Sequence, residues 1–301
     1  MHKAYAILFF FASWSGIAQG SDRRVAIFSL NIQWYGLGGS MEGSPEQEDR
    51  DSDLATLVGD AFDTHDVGVF EEIVHVDRFI ARIVPRDVEC QSYDHQNAKH
   101  QHVVVCVRRP LEFKPLKTAS HFTWDDVAVG QTRPAVVGRI CDRSGKTITH
   151  LIAVHLKSSP EFSNVRKQQA KILASHIRNE IANSAQPVVV TGDFNTFGND
   201  DEVIRTELSR SGMDFFELRS AAKNTFATRK YQNKFDRIFF SAGLSPASLT
   251  LVSGPCNTLE SRGEAEESII KSLFGDLDEW NRKISDHCLI HASFVKNSNG
   301  H

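Results

Sequence analysis

The stretch VVVTGDFNTF, residues 188–197, ends an apolar run in a carboxylate and an amide, Asp193 and Asn195, groups that are costly to desolvate without partners. Side chains on a strand alternate between faces, so residues two apart at a strand end point the same way. FSLNIQ repeats the pattern with Asn31 and Gln33, and IAVHLK repeats it with His155 and Lys157. In each stretch the apolar neighbours anchor the strand while polar groups are lifted from one rim. DVGVFEEIV adds Glu72 at the end of another apolar run, KISDHCLI places Asp286 beside His287, and NKFDRIFF sets Asp236 ahead of a strand. A hard divalent ion such as Mg²⁺ is held by one or two carboxylates together with water and substrate phosphate, and this set has the carboxylates for it. Two histidines can then divide the proton work, one activating water and the other assisting the leaving oxygen.

The elements that must position these groups are short. Strand-like runs recur as VAIFSL, VGVF, VVVCV, AVVGRI, THLIAV, VVVTG, RIFF and CLIHASF. Between them lie helical patterns at 50–63, 75–84, 201–212 and 263–275. The clearest follows SSPEF, where Ser159 is placed to cap, Pro160 suits the first helical position, and Val165, Ile172, Leu173, Ile177 and Ile181 repeat on one face. Many strands, several of them wholly apolar, mixed with helices predict sheets packed together and covered by helices, an α+β fold.

The first twenty residues, MHKAYAILFFFASWSGIAQG, have a basic start, an apolar run and small residues before Ser21, the pattern of a secretory signal. The alternative is a membrane anchor, but the apolar stretch is shorter than the roughly 20 residues that span a bilayer. Residues 21–301 then read as one catalytic domain, secreted or periplasmic. Leaving out Lys3 reduces 34 Lys and Arg to 33 against 38 Asp and Glu, a formal charge of −5. This excludes a surface coated in positive charge, though not a local basic groove for phosphate. Five cysteines allow two bridges, and Cys90 and Cys106 flank DHQNAKHQ as facing residues of a hairpin would. The glycine-rich, then acidic loop 36–53 reads as a solvated approach to a helix. His100 and His102 read as a polar hairpin tip rather than a soft-metal site. Trp34 and Tyr35 are divided between packing and stacking on a base or sugar; Trp124 and Trp280 read as packing.

In order along the chain, Asn31, Glu71-Glu72, His155-Leu156, the Gly192–Asn195 quartet, Asp236 and Ser285-Asp286-His287 resemble the motifs of the endonuclease/exonuclease/phosphatase superfamily. LNIQWYG, TRPAVV and FDRI look like deoxyribonuclease I-like nucleases within it. The resemblance implies a four-layer α/β/β/α sandwich of two mixed sheets packed face to face, and hydrolysis of a phosphodiester with Mg²⁺, or with Mn²⁺ or Ca²⁺ in its place. It implies Glu72 as the main metal ligand with Asn31 and Asp286 near the same ion, His287 as general base oriented by Asp236, and His155 protonating or hydrogen-bonding the leaving oxygen. Asp193 and Asn195 would position the nucleophile and steady the phosphate, while Arg133 and Gln33 would contact the substrate backbone. The implied enzyme is a secreted, monomeric, low-specificity deoxyribonuclease acting on DNA, with no stable protein partner and no membrane anchor once the signal is removed. Two departures stand out: His102 falls where a glutamate partner of His155 is expected, and Glu71 replaces a usual Gln, adding charge beside Glu72. Secreted sphingomyelinases share the catalytic set and supply the alternative reading. No membrane-seeking stretch follows residue 20. A non-catalytic module of the same fold is a third reading, against which every motif position is filled.

Overall fold

A computed structural model of the chain describes residues 24–36, 47–93, 101–117, 121–130, 132–218, 225–226, 233–247, 251–253, 256, 280–281 and 284–296. Residues 1–20, expected to be a signal, most of the acidic loop, His100 and the helix expected at 263–275 lie outside the described residues.

The apolar runs all become strands. One sheet runs Leu244–Pro246, Leu289–Lys296, Arg24–Tyr35, Val67–Ile73, His102–Arg108, Val88–Gln91, with Leu251–Ser253 also paired to Leu289–Lys296. The other runs Phe215–Glu217, Asp236–Ser241, Val188–Asp193, Thr147–His155, Ala135–Cys141, Glu112–Lys114, with Thr123–Trp124 also on Ala135–Cys141. Each sheet is mixed: Arg24–Tyr35 runs parallel to Val67–Ile73, and Thr147–His155 parallel to Val188–Asp193, while the remaining pairs are antiparallel. A parallel pair needs a long crossover. Helix Gln47–Thr64 supplies the first, and helix Ser163–His176 lies in the second.

Alternation along the strands sorts the apolar side chains into layers. Leu151, Ala153, Val189 and Ile238 share a buried cluster with Val25, Ile27 and Val69 of the other sheet. Their neighbours Ile152, Val154, Val188 and Val190 pack instead with Ala170, Leu173 and Ile177 on one helix and with Ile204 and Leu208 on helix Asp200–Ser209. On the far side of the first sheet, Phe28 and Phe70 meet Phe62 of helix Gln47–Thr64 with ring centroids 5.0 and 6.4 Å apart. Each such side chain contributes about 1.5–3 kcal/mol relative to exposure. The result is the expected order of helices, sheet, sheet, helices.

Local details depart from expectation. Ser159 makes no side-chain cap bond and sits at φ 76°. Pro160 opens a 3₁₀ turn, Pro160–Phe162, before the α-helix begins at Ser163, and the helix closes in a π turn, Ile177–Ile181. Its buried face is centred on Arg166, Gln169, Ala170, Leu173 and Ala174, with Val165 and Ile172 at its margins. Two polar residues thus lie on the side assigned by apolar periodicity to the core. The helices expected at 75–84 and 201–212 are Val76–Arg82 and Asp200–Ser209. Cys90 and Cys106 are cross-strand partners and form a disulfide, Cys256 and Cys288 form a second, and Cys141 is a buried free thiol.

Candidate active site

Strand ends and the loops that precede or follow them converge at one rim between the sheets. Asn31, His155, Asp193 and Asp236 fall on the inter-sheet side of their strands, continuing the rows of Ile27, Ala153, Val189 and Ile238. Glu72 reaches the rim differently. Glu71 continues the inward row of Val67 and Val69, so regular alternation would turn Glu72 outward toward the helix. Glu72 adopts φ 62°, the pairing register shifts there, and its carboxylate accepts from Asn31 Nδ2 at 3.2 Å and Trp34 N at 3.1 Å. All five described non-glycine residues with positive φ, Gln33, Trp34, Glu72, Ser159 and Asn195, lie at this rim or in its loops. Such conformations cost about 1–3 kcal/mol each and persist where the surroundings over-determine them. Gly192 is required for a related reason: at φ 129°, a Cβ would lie 2.0 Å from Val154 O and 2.9 Å from Glu71 Oε1.

Asn31 ties the two sheets together at the rim. Its Nδ2 also donates to Asp193 Oδ2 at 3.1 Å, and its Oδ1 accepts from Gln33 N at 3.0 Å. Asp193 Oδ1 accepts from Asn195 N at 2.8 Å, and Asn195 Nδ2 donates to Leu156 O at 3.2 Å. Burial pushes the Asp193 carboxyl up to about 7, against the pull of His287. Asp236 Oδ2 lies 2.8 Å from His287 Nδ1, with both side chains buried. This leaves His287 Nε2 facing Asp193 Oδ2 at 3.9 Å and Asp286 Oδ1 at 4.0 Å. Burial opposes the imidazolium, but Asp236 first, then Asp193 and Asp286, outweigh it and hold the His287 pKa well above the ordinary value. Ser285 fixes this corner, donating to Asn31 O at 2.6 Å and accepting from His287 N at 3.0 Å.

His155 is in the opposite state. Burial, then the neighbouring Arg133 guanidinium, hold its pKa well below 6.5. Arg133 Nη2 contacts His155 Nε2, and because a guanidinium can only donate, Nε2 accepts and the ring proton sits on Nδ1. Asp193 Oδ2 and Glu72 Oε1 lie 3.5 and 3.8 Å from the same nitrogen. Arg133 Nε has no partner among the described residues. The two histidines therefore differ: one has the raised basicity of a proton acceptor, and the other is held neutral beside a cation.

Asp193, Asp236 and His287 offer ligand atoms within 4.8 Å of one another, a group able to hold a metal ion. The sequence pointed to Glu72, Asn31 and Asp286 instead. Those three also border this rim, and burial raises the pKa of Glu72 and of Asp286, with Asp286 adding to the shift at Glu72. Crowded, desolvated oxygen donors are the environment a hard divalent cation relieves. Glu71, expected to add charge beside Glu72, sits where burial opposes that charge. It is fully buried between the sheets, accepts from Ser29 Oγ at 2.9 Å, and burial pushes its pKa well above the carboxylate range, favouring the neutral acid. His102 stacks on Tyr93 at 5.0 Å, with its Nδ1 3.0 Å from Ile73 O. Gln33 presents its backbone to the site, its N–H to Asn31 and its carbonyl to Arg50, and Trp34 likewise gives its N–H to Glu72. Lys157 lies over the Phe162 ring, 4.4 Å from its centroid. Tyr35, Trp124 and Trp280 are buried as packing residues.

Arg50 was not singled out from sequence. Fully buried, it donates to Ile32 O, Gln33 O and Ile284 O, joining the strand end of Asn31 to the segment of Asp286. It stands alone as a cation within the acidic EDRDSD. That isolation was its only signal. Thr225 was also missed; its Oγ1 accepts from the backbone N of Asp236 at 3.0 Å.

Residues 28–287 match the model of the Endonuclease/Exonuclease/phosphatase family. Among curated protein sequences none matches this chain. The fold is similar to that of a humanized D. rerio TDP2 with 14 mutations, with 17% identity and a TM-score of 0.62 over 90% of this chain and 98% of that one. It is similar to the human Nocturnin catalytic domain with bound sulfate, with 16% identity and a TM-score of 0.61 over 92% and 96%. A Bacteroides vulgatus endonuclease/exonuclease/phosphatase matches at 17% identity and a TM-score of 0.61 over 92% and 100%.

Proposed function

The chain belongs to the endonuclease/exonuclease/phosphatase family, and from that premise we propose that it is a metal-dependent phosphodiesterase, a secreted deoxyribonuclease that cuts DNA with little sequence preference. The observation that carries the proposal is the Asp236–His287 pair, 2.8 Å apart and buried, set beside Asp193 and Asp286. Asp236 holds Nδ1 and leaves Nε2 as the atom that takes a proton from water. The raised pKa makes His287 the stronger base of the two histidines once Nε2 is deprotonated, so cleavage should rise with pH through that raised pKa.

Glu72, Asn31 and Asp286 would hold a Mg²⁺-like ion, with Asp193 at the boundary between that ion and the base. When bound, the ion would polarise a phosphoryl oxygen and offset charge in the transition state. Arg133 supplies a fixed positive charge for a non-bridging oxygen. His155 is held neutral, and its rim nitrogen Nε2 accepts from Arg133 while Nδ1 is buried, so in this arrangement it fixes the guanidinium that faces the leaving oxygen rather than donating to that oxygen itself. Asp193 and Asn195 orient the water and the phosphate, each fixed by the other and by Asn31 and Leu156. Two disulfides support an oxidising destination, in line with the signal-like leader.

Purified residues 21–301 with Mg²⁺ should relax supercoiled plasmid, and a chelator or His287→Ala should abolish relaxation. A folded protein inert toward plasmid but releasing phosphocholine from sphingomyelin vesicles would move the substrate to lipids. A folded protein inert toward all phosphodiesters would overturn the proposal. Secretion is checked by the N-terminus of exported protein, expected at Ser21.

A further inference from the structure

Gln169 lies on helix Ser163–His176, fully buried, on a face shared with Arg166, Ala170, Leu173 and Ala174. A buried primary amide needs partners for two N–H donors and for its oxygen. Gln169 finds them on two chain segments: Nε2 donates to Val127 O and to Thr132 Oγ1, each at 3.0 Å, and Oε1 accepts from Lys157 N at 3.0 Å. Lys157 is two residues past His155, and Thr132 immediately precedes Arg133. His155 and Arg133 are the residues whose side chains meet at the rim.

One side chain behind the site thus sets the spacing of the two segments that carry this contact. Arg133 enters the rim from a segment whose nearest regular elements are the 3₁₀ turn Asp125–Val127 and the strand Ala135–Cys141. Among the described residues between them none is paired in a strand ladder, so the Gln169 amide bonds help to place them. A carboxylate at 169 keeps the acceptor for Lys157 and loses both donors; an apolar isostere loses all three bonds.

We infer that Gln169 is a positioning residue: through Thr132 and Lys157 it holds the Arg133 guanidinium against His155, and so against the scissile phosphate. The inference rests on the phosphodiesterase reading for its effect on rate, but not for the clamp itself. Misplacing a charged group by about an ångström costs on the order of 10²-fold in rate.

The test is a double-mutant cycle on plasmid cleavage, pairing Gln169→Leu with Arg133→Ala, alongside amide hydrogen exchange over 125–130 and 132–133. Gln169→Leu should lower kcat by about 10²-fold, with a smaller change in KM, and should cost little more once Arg133 is already alanine. Exchange of the 125–133 amides should rise while the strand Thr147–His155 stays protected. Gln169→Glu should behave like Gln169→Leu. Thr132→Val removes a single link, guards against a misfolded Gln169 variant, and should give a smaller loss that also vanishes in the Arg133→Ala background. Additive costs in the cycle, or exchange unchanged in both Gln169→Leu and Thr132→Val, would overturn the inference. If the wild-type chain cleaves no phosphodiester, the functional reading fails while the exchange result still decides the clamp.

Discussion

The Asp236–His287 pair yields a prediction whose size depends on pH in a defined direction. Replacing Asp236 by Asn keeps the shape and leaves an amide oxygen near Nδ1, but removes the charge that most raises the His287 pKa. Removing one partner of a buried ion pair costs about 3–5 kcal/mol, whereas exchanging one neutral hydrogen bond for another costs about 1 kcal/mol or less. In the unfolded chain His287 titrates near 6.5; in the folded protein its pKa is raised. A group of that kind contributes its full stabilisation below the unfolded value and loses it as pH rises through the folded one. The loss of stability in Asp236→Asn should therefore be about 3 kcal/mol or more at pH 6 and should shrink above the raised folded pKa. Urea denaturation of both proteins at several pH values from 6 to 10, with unchanged m-values, measures this directly. A gap independent of pH would refute the assignment of an Asp236-stabilised imidazolium. In parallel, kcat should fall by about 10²–10⁴-fold, the usual contribution of a positioned acid–base group.

Other outcomes follow from the same structure. Glu71→Gln should leave plasmid cleavage within about threefold of wild type, because a neutral acid is exchanged for a neutral amide, whereas Glu72→Gln should lose about 10²-fold or more; equal losses would contradict the protonated state of Glu71. Arg166 pairs with Asp200 at 2.6 Å, both nearly fully buried, so Arg166→Met should cost about 3–5 kcal/mol in urea denaturation by leaving Asp200 unpaired. His65 and His291 share a hydrogen bond of 2.9 Å, and burial lowers both pKa values, that of His291 to about 3. Unfolded histidines bind protons near 6.5 that the folded pair refuses, so this contribution to stability is lost as pH falls from 6.5 toward 3. His291→Leu should make the slope of stability against pH shallower in that range, as measured by denaturation at intervals of half a pH unit.

Much of the site was legible because strand ends obey a period of two. Asn31, His155 and Asp193 could be placed on a common rim from alternation, Asp236 only from its place ahead of a strand, and the Cys90–Cys106 bridge from the symmetry of its hairpin. Glu72 was found by type and position, but its route to the rim was not, since a left-handed residue breaks the alternation that the argument relies on. Glu71 illustrates the opposite limit. Its charge state is decided by the sheet that covers it, and formal charge counted along the chain carries no information about that.

Composition, apolar periodicity and motif order by themselves determined a mixed α+β sandwich and the residue types of a metal-assisted hydrolytic site, because those depend on local period and on chemistry carried by single side chains. That Asp236 raises the pKa of His287 was already implied by the resemblance; only the tertiary structure decided that His155 is lowered, because its desolvation and the proximity of Arg133 are properties of the folded packing. It also decided that Arg50, Arg166 and Gln169 brace the rim from behind. Their partners are backbone and side-chain groups brought near by folding, up to 234 residues away for Arg50 and Ile284, and a pairing over that separation leaves no periodic trace in the sequence.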